Sequence, residues 1–490
     1  MSLNIRSRKS TPKVRTGCAT CKIRRVKCDE TRPTCHRCKT TGRICPGYAP
    51  PTGAIQKSSI QIYSIPFKVP GSRTDRELLH FYCSEAAHCL SRFSDSTLWS
   101  DLILQQSQYQ PVIRNSLIAL SSLYREYLVV GSDQLGHSPR SIRLMAKSHK
   151  QLLSYLSDPR ASPVPALICS LIFYVFECLV GNTRQAIWHL DRGLELLKCF
   201  WVSDAGLLAR MDPIYPQLRR IFAHLDVHAS IFSPERFQVL CLASPDQISG
   251  VSHVVPDGFG SINEVDEALI TLQNWKLHHL MQSLCWKGTP IDRLPPNIAA
   301  ERLRLDGEYR RFETAAQRFL SQNDQVLGTN GRQRITLLHT QGLICHGVLL
   351  ENIIIPSDEN FPLEACYKFD LALDQIKSLM SGSSSQSASR GFTVSTNLIA
   401  MLYFVCLKTR DPNLLQRSLS LMEQSMFAAR DGLWDSQKAR FVVQWMRCED
   451  NLGEEGNMDL RLEDIGTGII DIDGGLDEAV KRLNVGEAKE

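Results

Sequence analysis

The chain has 490 residues, 43% hydrophobic and 22% charged, with a formal net charge of +5. At roughly 150 residues per domain, that length leaves room for about three domains with a large core. Composition this ordinary argues against a mini-protein, a collagen-like or mostly disordered chain, and a membrane-embedded one.

The charge is unevenly spread. Residues 1–50 carry 13 Lys or Arg against 2 Asp or Glu, a net of +11, while the remainder nets −6. A basic end of this kind points to a polyanionic partner, nucleic acid first and an anionic membrane surface second. The first 15 residues are basic and Ser-rich with no apolar stretch, so no signal peptide is read there, and the expectation is a soluble protein that stays inside the cell. Within this arm, residues 1–17, the clusters Arg6-Ser-Arg-Lys9 and Lys13-Val-Arg15 suit nuclear import, contact with DNA, or solubility alone.

Next come six cysteines, Cys18, Cys21, Cys28, Cys35, Cys38 and Cys45, in which the unit C-x2-C-x6-C occurs twice. A disulfide framework needs an oxidising compartment, of which the sequence carries no sign. Zinc explains the spacing, because two intervening residues let both thiolates reach one tetrahedral ion about 2.3 Å from each sulfur. Two four-coordinate ions require eight metal–sulfur bonds from six sulfurs, so two sulfurs must bridge. Six thiolates and two Zn2+ carry a net −2, which the neighbouring cations offset. An all-sulfur shell leaves no position for water and so does not suit catalysis.

Between the ligands, Lys22, Arg24, Arg25 and Lys27 crowd one short helical turn. Arg can donate bidentately to guanine in the major groove, whereas cations on phosphate position a protein without reading sequence. The bland alternative is a solvated basic face. The segments Cys18-Ala-Thr-Cys-Lys-Ile-Arg-Arg-Val-Lys-Cys-Asp29 and Arg32-Pro-Thr-Cys-His-Arg-Cys38 resemble the fungal Zn2Cys6 binuclear-cluster transcription factors. That resemblance implies bridging by Cys18 and Cys35, a loop proline at Pro33, base reading of CGG-like half-sites by Arg24 and Arg25, and backbone contacts by Arg37, Lys39 and Arg43. Lys22 stands where many members have Arg, and Arg24-Arg25 where many have Arg-Lys.

Residues 46–74 hold Pro46, Pro50, Pro51, Pro66 and Pro70 and read as a linker. Ile55, Ile60, Ile62 and Ile65 keep no heptad period, so no coiled coil follows the cluster, and pairing with a second copy of the chain lacks that support. From 75 to 448 helical periodicity dominates, as in Ile113, Leu117, Leu120, Tyr124 and Tyr127, in Ile187, Leu190, Leu194 and Leu197, and in Leu218, Ile221, Leu225, Ala229 and Phe232. Pro and Gly clusters near 131–139, 157–165 and 203–213 separate the helices. The apolar run from Ala166 to Gly181 contains Glu177, is shorter than the ~18 residues of a membrane span, and reads as a buried helix. The fold expected is a small binuclear-cluster domain of two short helices with loops at 18–45, followed by a large all-α regulatory domain of packed helical hairpins. Leu78-Leu-His-Phe-Tyr82, Trp99-Ser-Asp-Leu102, Phe176-Glu177, His189-Leu-Asp-Arg-Gly-Leu194 and Leu225-Asp226 resemble the regulatory domain that accompanies such clusters, although His189 also reads as a core histidine. The other eleven cysteines read as small buried hydrophobes.

Ser381–Ser389 reads as a flexible loop joining two helical halves. The tail, 449–490, has 13 acidic and 4 basic residues interleaved with Leu460, Leu462, Ile465, Ile469, Ile470, Ile472 and Leu476. It suits either recruitment of the transcription machinery or a last packed helix. The expected protein is thus a nuclear, non-enzymatic regulator with two Zn2+ per chain and double-stranded DNA as partner. The rival readings are an enzyme and a thiol-rich metal or redox protein. The chain has no Gly-x-Ser-x-Gly, His-Glu-x-x-His, Walker or Gly-x-Gly-x-x-Gly motif, and a redox protein does not need four cations between Cys21 and Cys28.

Overall fold

The structure, a computed structural model, describes residues 17–48, 70–130, 139–202, 213–233, 236–240, 253–286, 289–351, 353, 361–381, 391–409, 411–423 and 429–449. The basic clusters before residue 16, most of the linker, the Ser-rich loop after Ser381 and the acidic tail after Glu449 lie outside these residues. The chain divides into two units, Met1–Ile65 and Pro66–Glu490.

Among its described residues the first unit has two helices of five residues each, α1 (Ala19–Ile23) and α2 (His36–Thr40). Its buried centre is Cys18, Cys21, Cys35 and Cys38, with Cys28, Cys45 and Tyr48 partly buried around them. Among the described residues no aliphatic side chain joins that centre, so the hydrophobic effect of these residues alone does not hold it together.

The described residues of the second unit are mostly helical. Helix α3 (Arg73–Phe81) opens on a capping box, in which Ser72 Oγ accepts from the Asp75 N–H at 3.1 Å and Asp75 accepts from the Ser72 N–H at 2.8 Å. The chain passes through a π turn, Tyr82–Ala86, into α4 (Ala87–Leu90), then a second π turn, Leu98–Leu102, into α5 (Ile103–Tyr109). Two antiparallel pairs follow, α6 (Pro111–Val130) with α7 (Pro139–Leu156) and α8 (Pro163–Val180) with α9 (Thr183–Val202), and α8 also packs on α6. The periodic stripe Ile113, Leu117, Leu120, Tyr124 and Tyr127 is the buried face of α6.

Helix α8 is longer than its apolar run. Pro163 and Pro165 sit in its first turn, where a missing N–H is harmless, so they start the helix instead of ending its predecessor. At 18 residues and a mean hydropathy of 2.0 it is long and apolar enough to cross a membrane, but 83% of it is buried inside the unit. Gly181, at φ 88°, closes it.

The rest packs in sequence. Helix α10 (Ile214–Phe232) lies on α9 and α11 (Ile262–Gln282), and α11 lies on α12 (Pro296–Asn323) and α13 (Thr329–Leu350), which in turn meets α14 (Phe361–Ser381). Helices α15 (Leu398–Lys408), α16 (Pro412–Glu423) and α17 (Ser436–Glu449) close the unit. Among the described residues the helices are joined by one small three-stranded sheet of two-residue strands: β1 (Phe392–Thr393) parallel to β2 (Arg430–Asp431), and β2 antiparallel to β3 (Trp434–Asp435). Such pieces are too short to show alternation.

Candidate metal centre and nucleic-acid interface

Each half of the cysteine repeat builds the same device. Cys18 and Cys35 cap α1 and α2, their Sγ atoms accepting from the N–H groups of Cys21 and Cys38 at 3.4 and 3.3 Å. Each helix closes in a paired backbone motif. Arg25 N–H donates to the Lys22 carbonyl and Val26 N–H to Cys21, both at 3.1 Å; Gly42 N–H donates to Lys39 at 3.2 Å and Arg43 N–H to Cys38 at 3.0 Å. That closure requires a left-handed residue, supplied by Gly42 at φ 59° in one half and by Arg25 at φ 55° in the other.

The two devices bring their sulfurs together. Cys18 Sγ lies 3.7 Å from Cys35 and 3.8 Å from Cys38, and Cys21 Sγ lies 3.7 Å from Cys35 and 3.9 Å from Cys38. Two sets of four sulfurs, each within 4.8 Å of one another, are Cys18, Cys21, Cys28, Cys35 and Cys18, Cys35, Cys38, Cys45. Sulfurs placed tetrahedrally about 2.3 Å from one zinc stand about 3.8 Å apart, so the spacing fits the ion. Cys18 and Cys35 belong to both sets, the places the resemblance assigns to bridges. Burial pushes the Cys21 thiol up, so metal binding has to displace protons from the centre.

The basic run is longer than the helix that carries it. The turn closes at Ile23, so Lys22 alone is helical; Arg24 is the cap, Arg25 the left-handed residue and Lys27 lies beyond. The closure is set by backbone bonds and not by side-chain charge, which is why a count of cations overextends it. Lys22, Arg25, Lys27, Arg37, Lys39 and Arg43 are exposed and Arg24 is half-buried, its guanidinium donating to Thr41 Oγ1 at 3.3 Å. The Arg24 contact and the Thr20 Oγ1 bond to the Ile44 carbonyl at 3.0 Å tie the halves together.

Two supporting residues carry little signal in the sequence. Asp29 accepts from Thr31 Oγ1 at 2.8 Å and from the His36 and Arg37 N–H groups at 2.9 and 3.3 Å, fixing the start of α2. Against desolvation, which raises it, these hydrogen bonds hold its carboxyl down at about 2. Tyr48 donates to the Thr31 carbonyl at 2.8 Å, lies 3.8 Å from Cys28 Sγ and stacks under Arg32. An acid directly after a ligand and an aromatic three residues past the last one are the available clues.

In the helical unit the regulatory-domain signatures prove to be packing residues. Tyr82 donates to the Trp99 carbonyl at 3.1 Å. Arg236 bridges Asp191 at 2.6 Å and the fully buried Asp226 at 2.7 Å, tying α9 to α10. His189 stands 5.3 Å from the rings of His149 and Phe173, and burial pushes it down to about 4. It is a neutral core histidine. Cys169, Cys178 and Cys406 are buried as expected, whereas Cys199 and Cys285 are exposed.

Residues 16–54 match the fungal Zn(2)-Cys(6) binuclear cluster domain, and residues 77–290 match the fungal specific transcription factor domain. The aspercryptin biosynthesis cluster-specific transcription regulator of Emericella nidulans is 28% identical over 214 residues, covering 37% of this chain and 34% of that protein. Transcription regulator lscL of Purpureocillium lilacinum is 28% identical over 198 residues, 36% of this chain and 47% of its own length. White-opaque regulator 2 of Candida albicans is 53% identical over 36 residues, 7% of this chain and 8% of that protein. The match therefore spans about a third to a half of the first two relatives. Solved structures give no match.

Proposed function

We propose, from the premise that the chain belongs to the fungal Zn2Cys6 transcription regulators with a fungal-specific regulatory domain, that it is a nuclear, sequence-specific regulator of a metabolic or secondary-metabolite gene set. The observation that carries this reading is the pair of four-sulfur sets sharing Cys18 and Cys35 beside exposed cations. Two Zn2+ would be held per chain, by Cys18, Cys21, Cys28 and Cys35 and by Cys18, Cys35, Cys38 and Cys45. Bound zinc supplies folding energy and electrostatic order, and the chemistry at DNA belongs to the side chains. Arg24 and Arg25 read bases of CGG-like half-sites; Lys22, Lys27, Arg37, Lys39 and Arg43 contact the backbone. The relatives' names, one of them specific to a biosynthesis cluster, support the choice of gene set.

Selection of bound duplexes from random DNA with the full chain tests the reading. It should return CGG-containing sites; Arg25→Ala should weaken the selected site by about 1–3 kcal/mol while leaving random DNA little changed, and Lys39→Ala should weaken both alike. Equal losses for Arg25→Ala on selected and random DNA would remove it from base readout. Metal analysis should give two zinc ions, with Cys18→Ser disturbing both. The acidic tail as an activating segment is a separate part of the proposal, answered by fusing it to an unrelated DNA-binding module in a reporter strain: an inert fusion rejects it. Pairing with a second chain is answered by the spacing of selected half-sites.

A further inference from the structure

Helices α10, α11, α13 and the start of α15 surround a pocket in the second unit, about 640 Å3 of space with the solvent at its mouth included. Its walls are mostly apolar, from residues such as Leu277, Ile344 and Phe404, but four polar side chains reach it: Lys276, Gln273, Gln341 and Asn397, whose amide nitrogen is already paired with His228. Lys276 is 8% exposed, yet among the described residues its ammonium has no carboxylate within salt-bridge distance and donates only to the Cys345 carbonyl at 3.4 Å. A lysine is almost never buried without a counter-charge, because desolvating an unpaired ammonium costs several kcal/mol. Gln273 and Gln341 are each 3% exposed; each spends its amide N–H on a neighbour, Cys345 Sγ and the Thr396 carbonyl, and leaves its side-chain oxygen without a donor. One cation and two free acceptors in an apolar pocket describe the complement of a ligand.

We infer that this pocket binds a small apolar carboxylic acid carrying a hydroxyl or N–H donor. The carboxylate pairs with Lys276, the donor meets the Gln273 and Gln341 oxygens, and the hydrocarbon covers the apolar wall. The donor requirement separates this class from plain fatty acids, and the ammonium separates it from neutral alcohols. Two of the lining helices fall inside the stretch matched to the regulatory family and two fall beyond it, so bound ligand would fasten these two parts of the unit together.

The test titrates zinc-loaded full-length protein by calorimetry with 3-hydroxyoctanoate, octanoate and 1,3-octanediol. Saturable binding of 3-hydroxyoctanoate is expected, about ten-fold or more tighter than the diol and several-fold tighter than octanoate. Lys276→Met should abolish the preference for acid over diol and raise the melting temperature of the free protein, since it removes an unpaired buried charge. Gln341→Leu, which keeps the ammonium, should erase the difference between 3-hydroxyoctanoate and octanoate. Equal binding of acid and diol by the natural protein, undiminished acid binding by Lys276→Met or Gln341→Leu, or no saturable binding of any probe up to about 10 mM overturns the inference and leaves the polar groups to ordered water.

Discussion

Arg25 occupies a backbone region that Gly42 occupies at the matching position seventeen residues later. Left-handed geometry adds roughly 1 kcal/mol for a residue with a Cβ, so the first half of the repeat carries a load that the second half avoids. Under the proposed function, the gain that offsets this strain at an exposed arginine is its contact with a base. Replacing Arg25 with Gly should therefore separate two properties: zinc should be retained against a chelator at least as well as in the natural protein, while affinity for the selected DNA site falls. A variant that loses zinc more easily would show that Arg25 contributes to the fold of the cluster. Glu177 is the second residue with a measurable signature. Burial in α8 pushes its carboxyl from the ordinary 4.5 to about 7. Between those values the folded chain holds a proton that the unfolded chain has released, so the contribution to stability is full below about pH 4.5 and is lost as pH rises through about 7. With a discount for partial exposure, this amounts to about 1–2 kcal/mol. Thermal unfolding of Glu177→Gln should match the natural protein near pH 5 and exceed it at pH 8; equal curves at both would contradict the shift.

Among the elements, α8, α9 and α10 meet where Gly193 lies in α9. An added Cβ there would overlap Ser170 Oγ and the Phe222 ring, so Gly193→Ala should destabilise the unit by about 1–3 kcal/mol, read as a lower melting temperature with unchanged zinc content. Long helices were legible because their apolar stripes repeat for three or more turns, as in α6. The cluster was legible because metal coordination demands residue types at fixed intervals. Short pieces escape such reading: α1 ends where backbone bonds close it, and β1 to β3 offer two residues each. One local sign of the sheet was present, the pair Asp431-Gly432, with Gly432 at φ 56° in the hairpin between β2 and β3. Asp431 itself is buried and accepts from Thr393 Oγ1, the Thr396 and Leu398 N–H groups and Thr396 Oγ1 at 2.7–3.1 Å, which ties β2 to the first N–H of α15. Nothing in the sequence near 431 announces a partner almost forty residues earlier. The pocket at Lys276 was equally invisible, since a lysine in a helical stretch reads as solvated until its surroundings are known.

At the scale of the molecule, the stretch matched to the regulatory family stops at 290, but the helical unit does not. Helix α11 is held from beyond that point: Trp275 donates to Glu301 at 2.8 Å, His279 pairs with the same carboxylate at 2.8 Å, and its apolar face packs on α12 and α13. A chain ending at 290 should bind ANS and lose cooperative unfolding while keeping its zinc, whereas one ending at 449 retains every described element and should unfold cooperatively. Cooperative melting of the shorter chain would show that the matched segment is a domain in itself.

Arg430 reaches back to α8, where it donates to the carbonyl of Cys178 at 2.9 Å across 252 residues of sequence. On a ribosome adding about 5–20 residues per second, that separation is an interval on the order of 10–50 s. Throughout it, a helix as apolar as a membrane segment has emerged without its last fastening. The hazard for this fold is one of timing: slow translation or a ribosomal pause between α8 and β2 would prolong the presentation of α8 to chaperones and to the membrane-targeting machinery, with no change in any residue of the finished protein.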